Sequence, residues 1–324
     1  MNRLVWCSLA CWVAGAACRS PTIPEANRFP AGTGFTARRL TIDGTTVRYI
    51  DAGRGTPVVF IHGLGASMYA WRKNLAPVAA AGYRVIAFDN RGFGFSDKPD
   101  TGYANASYAR LTVALLDSLH LPDAVLVGHS MGGAIAAEVA IVHPERVRGL
   151  VLIGSAGLGA WEPPLFRVGR WPLVGPLLFA FRGRGLTERF LKATYADPGK
   201  VSDADVDQYY APVAEPEYGR ALRAVLRQFR FDGLAGRLDH IGAPTLVLWG
   251  EADRLVPIAL GRALAAGIPR AAFLSVPRAG HAVQEEAPDE VNRLLIHFLK
   301  DGLARVPGDL ALGRRGPIFL QPHG

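Results

Sequence analysis

The run Gly128-His129-Ser130-Met131-Gly132 sets a serine between two glycines in the spacing G-x-S-x-G. A serine on a sharp turn from strand to helix stands exposed, and glycines two residues either side let the backbones pack closely enough to make that turn. Such a hydroxyl can act as a nucleophile on an electrophilic carbon. It is weak near neutral pH, so a base must take its proton, and an imidazole titrates in the right range to do so. The chain offers eight histidines from which to draw that base. With glycine and serine at about 7% each, the three fixed positions turn up by chance roughly 0.1 times in a chain of this length, so the context carries the reading.

That context is a strand before the serine and a helix after it. Ala124 to Val127 is a short apolar run, and the residues from Met131 on are small and compatible with a helix. Continuous apolar runs recur at Val58-Val59-Phe60-Ile61, Arg84 to Phe88, Leu150 to Ile153 and Thr245 to Trp249, with helical stretches between them. Strands of this kind are buried on both faces, so the alternation predicts a mostly parallel sheet with helices on both sides, an α/β fold. Thr36 to Asp51 reads as two strands about Asp43-Gly44, a dipeptide suited to a tight hairpin turn. From 155 to 239 the alternation stops. Prolines and large apolar residues there (Trp161, Pro163, Pro164, Phe166, Trp171, Pro172) lead into amphipathic helices, the clearest with Tyr218, Leu222, Val225, Leu226 and Phe229 on one face and arginines opposite. The stretch predicts an inserted helical cap, most of whose apolar residues form its own core.

The chain has 324 residues, 49% hydrophobic and 20% charged, enough for one large domain or two small ones. A formal net charge of +8 raises nucleic acid as a partner, but no basic run with interleaved aromatics and no nucleic-acid motif accompanies it. The basic surface, and the mixture of arginine with leucine and aromatics from Arg167 to Arg189, leave membrane association open. Cys7, Cys11 and Cys18 are the only cysteines, which excludes disulfides and thiolate chemistry from the body of the chain. Leu4 to Ala17 follows Arg3 as an apolar run of the length of a secretory leader, too short for a mature membrane span. Ala14-Gly15-Ala16 offers a cleavage site, and Ala16-Ala17-Cys18 resembles the end of a bacterial lipoprotein signal, although Gly15 stands where leucine is usual. The expected division is a leader at 1–18, a linker at 19–35, a core at 36–154 and 240–300, the cap at 155–239 and a tail at 301–324. The expected location is exported: periplasmic, secreted or held at a membrane through a lipid on Cys18. A cytosolic protein with an apolar extension is the alternative.

Four more motifs accompany the serine: His62-Gly63-Leu64-Gly65 after an early strand, Asp89-Asn90-Arg91-Gly92-Phe93-Gly94-Phe95-Ser96 after the next, Gly250-Glu251-Ala252-Asp253 after a late one, and Gly280-His281 before the last helix. On these the chain resembles the serine hydrolases of the α/β-hydrolase superfamily, over roughly residues 36–300, in the family's order of serine, acid and histidine. The resemblance makes Ser130 the nucleophile. His281 is the expected base: His129 adjoins the serine and is expected to point elsewhere, His62 precedes a loop, and His120, His143 and His297 fall on predicted helices. Asp253, in a turn past the Thr245 strand, is the expected partner of the imidazole, with Glu251 its rival. The backbone N–H groups of Leu64 and Met131 are the expected oxyanion donors, and Asp89 with Arg91 to Gly94 reads as loop structure.

Capped members of this superfamily that dehalogenate or open epoxides carry aspartate at the elbow, so serine points to acyl transfer to water. The first expectation is a carboxylesterase or lipase-like enzyme for esters of hydrophobic acyl groups. Hydrolysis of a carbon–carbon bond in a diketone-type substrate is the alternative, and a non-catalytic binder of small apolar ligands on the same scaffold is an alternative of another class. No cofactor and no metal is expected, and the oligomeric state is left open.

Overall fold

The structure is a computed structural model, and it describes residues 22–159, Trp171 and residues 182–302. The leader, all three cysteines, most of the proline-rich start of the expected cap and nearly all of the tail lie outside the described residues.

Among the described residues eight strands form one sheet: β1 (Ala37–Ile42), β2 (Thr45–Ala52), β3 (Pro57–Ile61), β4 (Arg84–Phe88), β5 (Ala124–His129), β6 (Val147–Ile153), β7 (Thr245–Gly250) and β8 (Ala271–Val276). Their order across the sheet is β1-β2-β4-β3-β5-β6-β7-β8. Only the pairings made by β2 are antiparallel. β1 and β2 form the expected hairpin, in which Asp43 and Gly44 take φ of 46° and 71°, the left-handed pair that a two-residue connection between twisted strands needs.

Pleating sends alternate side chains of the central strands to opposite faces. Val59, Ile61, Leu126, Leu150, Leu152, Val247 and Trp249 join one apolar cluster. Val58, Phe60, Val125, Val127, Val151, Ile153, Leu246 and Leu248 join the other. The first cluster is closed by α2 (Asn105–Ser118), α3 (Met131–Val142) and α7 (Ile258–Gly267), the second by α1 (Leu75–Ala80), α8 (Val283–Glu286) and α9 (Pro288–His297). Covering both faces is what lets these strands be apolar at every position.

Between β6 and β7 the described chain is helical, with α4 (Arg184–Ala193), α5 (Asp203–Val213) and α6 (Tyr218–Gln228). Ser202 caps α5 in a reciprocal box with Asp205. On α6, Tyr218, Ala221, Val225 and Leu226 are buried, and Phe229 follows them as the helix ends.

Two expectations fail in detail. His120 lies past the end of α2 with φ of 55°, and His143 lies past α3, so neither is on a helix. Strand β8, which no apolar run announces, is only half buried over most of its length.

Because β3 and β5 to β8 run parallel and in register, their carboxyl ends share one edge: Ile61 pairs with Gly128, His129 with Ile153, Ile153 with Leu248, and Gly250 with Val276. Strand order reverses at β3, flanked by β4 and β5. A crevice opens at such a switch point in open parallel sheets.

Candidate active site

β5 ends at the switch point and the chain turns directly into α3. At the turn Ser130 holds φ 53° and ψ −119°, a conformation that costs a non-glycine residue energy and persists only where its surroundings enforce it. The enforcement is visible. The Ser130 N–H donates to the Ile153 carbonyl at 2.9 Å, and its own carbonyl accepts from Gly133 and Ala156, both at 3.0 Å. A methyl on Gly132 would run into the carbonyl oxygens of Ile61 and His62, and one on Gly128 into the backbone of Gly132 and Gly133. The glycines of the motif are there because α3 crosses the ends of β3 and β5 at backbone contact.

His281, in the connection after β8, reaches the same edge. Its Nδ1–H donates to Asp253 Oδ2 at 2.8 Å, and the Asp253 side chain is fully buried. The other oxygen, Oδ1, accepts from the N–H groups of Leu255 and Val256, each at 2.8 Å. The carboxylate is thereby fixed in orientation, and it holds the imidazole in the tautomer whose Nε2 carries a lone pair. Glu251, the rival acid, accepts a hydrogen bond from the Ser275 hydroxyl at 2.8 Å and takes no part in this arrangement. The Ser130 hydroxyl makes no hydrogen bond among the described residues; bonds of this type often tighten only when substrate is bound.

The loop after β3 is held by His62. This imidazole is completely buried, accepts from the Asn90 N–H at its Nε2 (2.9 Å) and donates from Nδ1 to the Gly63 carbonyl (2.8 Å). Burial pushes its pKa down, so it acts as a neutral strut between the ends of β3 and β4. Asp89 braces the neighbouring loop, accepting from the N–H groups of Met68 at 2.8 Å and Phe95 at 2.9 Å, while its carbonyl accepts from the Ser96 hydroxyl at 2.6 Å. The Leu64 and Met131 N–H groups donate to no acceptor among the described residues, and Met131 stands first in α3, where helix N–H groups lack intrahelical partners.

His129 departs from expectation. It does not point away: it lines the same cavity, its Nε2–H donates to the His281 carbonyl at 3.0 Å, and the two rings lie 4.8 Å apart. Burial, with His281 beside it, holds its pKa well below the ordinary imidazole value, and its Nδ1 is buried without a partner among the described residues.

Ser130, His281 and Leu64 face a cavity of about 380 Å³. Its remaining walls are mostly apolar and come largely from the helical segment, through Leu186, Phe190 and Leu191 of α4, Val213 of α5 and Leu222 of α6. One end is polar. There Glu285 accepts from the Tyr209 hydroxyl at 2.6 Å and pairs with Arg72, whose other terminal nitrogen lies 2.6 Å from Asp205. This bracket ties α5 to the core. Nothing in the sequence announces it, since Arg72 and Glu285 stand 213 positions apart. Among the described residues no group of three or more histidine, cysteine or acidic side chains could hold a metal.

A family model for the alpha/beta hydrolase fold matches residues 56–288. The 2-hydroxy-6-oxo-6-phenylhexa-2,4-dienoate hydrolase of Burkholderia cepacia is 35% identical over 266 residues, covering 78% of this chain and 90% of that protein. Among solved structures, the meta-cleavage product hydrolase of Pseudomonas fluorescens IP01 aligns with a TM-score of 0.71 at 28% identity, over 81% of this chain and 97% of that one. A bacterial membrane phospholipase A aligns with a TM-score of 0.73 at 28% identity, over 84% and 88% of the two chains.

Proposed function

Because the chain belongs to the α/β-hydrolase fold family, we propose that it is a serine hydrolase acting at a carbonyl carbon of an apolar substrate, with Ser130 as nucleophile, His281 as base and Asp253 as the partner of the imidazole. The observation that carries this is the 2.8 Å bond from His281 to a fully buried Asp253, made at the cavity that Ser130 also lines. Ser130 Oγ bonds to the carbonyl carbon as its proton passes to His281 Nε2, and the imidazolium formed is stabilised by Asp253. Charge gathers on the carbonyl oxygen, which the Leu64 and Met131 N–H groups receive. The bond to the leaving group breaks, His281 returns the proton to that group, and water then enters by the same route to free the acyl group and Ser130.

The relatives favour a carbon–carbon bond as the one broken. The protein from Burkholderia cepacia is by name a hydrolase of an oxo-dienoate, and the neighbour from Pseudomonas fluorescens acts on a meta-cleavage product. In a diketone-type substrate the departing carbon is stabilised by the second carbonyl, which lets the same machinery cleave it. Carboxylic ester hydrolysis, the first expectation from the sequence, stands second, favoured by the apolar walls and the likeness to a phospholipase. Turnover of p-nitrophenyl esters of increasing acyl length and of a diketone, by the native protein and by Ser130→Ala and His281→Ala, tests the proposal. Each substitution is expected to lower turnover by about 10³ or more with the fold intact. Near-native turnover in either, or no labelling of the native protein by a serine-directed phosphonate, overturns it in favour of a binding protein. Export through the leader, either cleaved at Ala14-Gly15-Ala16 or ending with a lipid on Cys18, belongs to the same proposal; mass spectrometry of the membrane fraction tells the two apart.

A further inference from the structure

Besides Ser130, five of the described residues with hydroxyl groups stand at the cavity wall: Ser155, Thr187, Thr194, Tyr209 and Tyr218. Four have their proton engaged. Ser155 donates to the Ala156 carbonyl at 2.7 Å, Thr187 to Gly183 at 3.3 Å, Thr194 to Leu191 at 2.7 Å and Tyr209 to Glu285 at 2.6 Å. Tyr218 makes no hydrogen bond among the described residues. The residue is 4% exposed and lines the cavity, so what its hydroxyl can reach is the cavity.

Its place is fixed. The ring meets Phe93 edge-on at 6.4 Å, and Phe93 meets the ring of His62 edge-on at 6.0 Å. His62 in turn holds Gly63, so one chain of contacts positions the Tyr218 hydroxyl and the loop of Leu64 together. The hydroxyl lies beside Gly65, next along from Leu64, where a Cβ would approach it to 3.3 Å. Burial raises the phenol's pKa, with Arg182 acting the other way, so the group keeps its proton through the neutral range and remains a donor. A buried donor left unpaired costs free energy that a ligand acceptor restores.

We propose that the Tyr218 hydroxyl is a substrate-binding group that donates a hydrogen bond to a second oxygen of the substrate, a ketone oxygen apart from the carbonyl that Ser130 attacks. The subsite rests on the reading above for where the reacting carbonyl lies, and it makes a diketone a better ligand than a monoketone of the same length.

Binding separates this inference from the catalytic one. In the Ser130→Ala protein, 2,4-nonanedione is expected to bind about tenfold more tightly than 2-nonanone by calorimetry, the value of one well-placed hydrogen bond. Adding Tyr218→Phe, which keeps the ring, should abolish that advantage while leaving 2-nonanone within about twofold. The subsite is overturned if the advantage survives Tyr218→Phe, if the two ligands bind alike with Tyr218 present, if neither binds, or if Tyr218→Phe weakens both equally, as loss of packing alone would. None of these outcomes bears on whether Ser130 is the nucleophile, which turnover in the single variant reads independently.

Discussion

At the scale of single residues, the site sets two imidazoles side by side under different constraints. His281 is anchored by an acid whose second oxygen is saturated by backbone N–H groups, so Asp253 cannot swing away from the ring. Asp253→Asn is expected to cut turnover by about 10² or more because an amide no longer enforces the tautomer, while Glu251→Gln should stay within about twofold; steady-state kinetics on one substrate compares them. His129 sits in the same place under the opposite constraint. Its pKa is depressed by burial, so the folded protein refuses a proton that the unfolded chain accepts once the pH falls below the ordinary imidazole value of 6.5. Stability therefore drops as the pH is lowered through that value, by at most about 1.4 kcal/mol per pH unit for such a histidine. Urea unfolding at pH 7 and pH 5 should show His129→Gln losing less stability over that interval than the native protein, by about 2 kcal/mol at most.

The next scale is that of strands and helices, where the glycines of the elbow record how closely α3 crosses the sheet. Gly132→Ala forces a methyl against the carbonyls of Ile61 and His62, neither of which can yield without moving β3. It should cost about 3 kcal/mol in thermal or urea unfolding, whereas Gly242→Ala, which meets open space, should change little. This scale also shows why much of the fold was readable. β3 to β7 are continuous apolar runs because both faces of the sheet are covered, and the hairpin carries its turn dipeptide. β8 was not readable, since a half-buried strand beginning Ala271-Ala272 carries neither a continuous run nor an alternation. The candidate site divides in the same way. Ser130, His281, Asp253 and Leu64 announce themselves by glycine-flanked motifs, because those glycines stand where backbones cross too closely for a Cβ. The role of His129 depends on which way one ring turns at the crossing, and the Arg72, Glu285 and Tyr209 bracket depends on tertiary approach, so neither leaves a local pattern.

Over the whole molecule, the helical segment is fastened to the sheet through buried charge. Arg72 spans Asp205 of α5 and Glu285 of α8, and Glu285 also takes the Tyr209 and Tyr195 hydroxyls. Removing the cation leaves two buried carboxylates uncompensated. Arg72→Met is expected to lower the free energy of unfolding by about 3 to 5 kcal/mol, measured by urea titration.

The residues proposed to react hang from the carboxyl rim of one sheet, while much of the facing cavity wall belongs to the segment between β6 and β7, α4, α5 and α6 among it. Reactivity and taste are thus written in separate parts of the polypeptide. Laboratory evolution that randomises that facing wall and leaves the elbow glycines alone has room to change the menu without disarming the protein, and a survey of tolerated substitutions should divide along that seam.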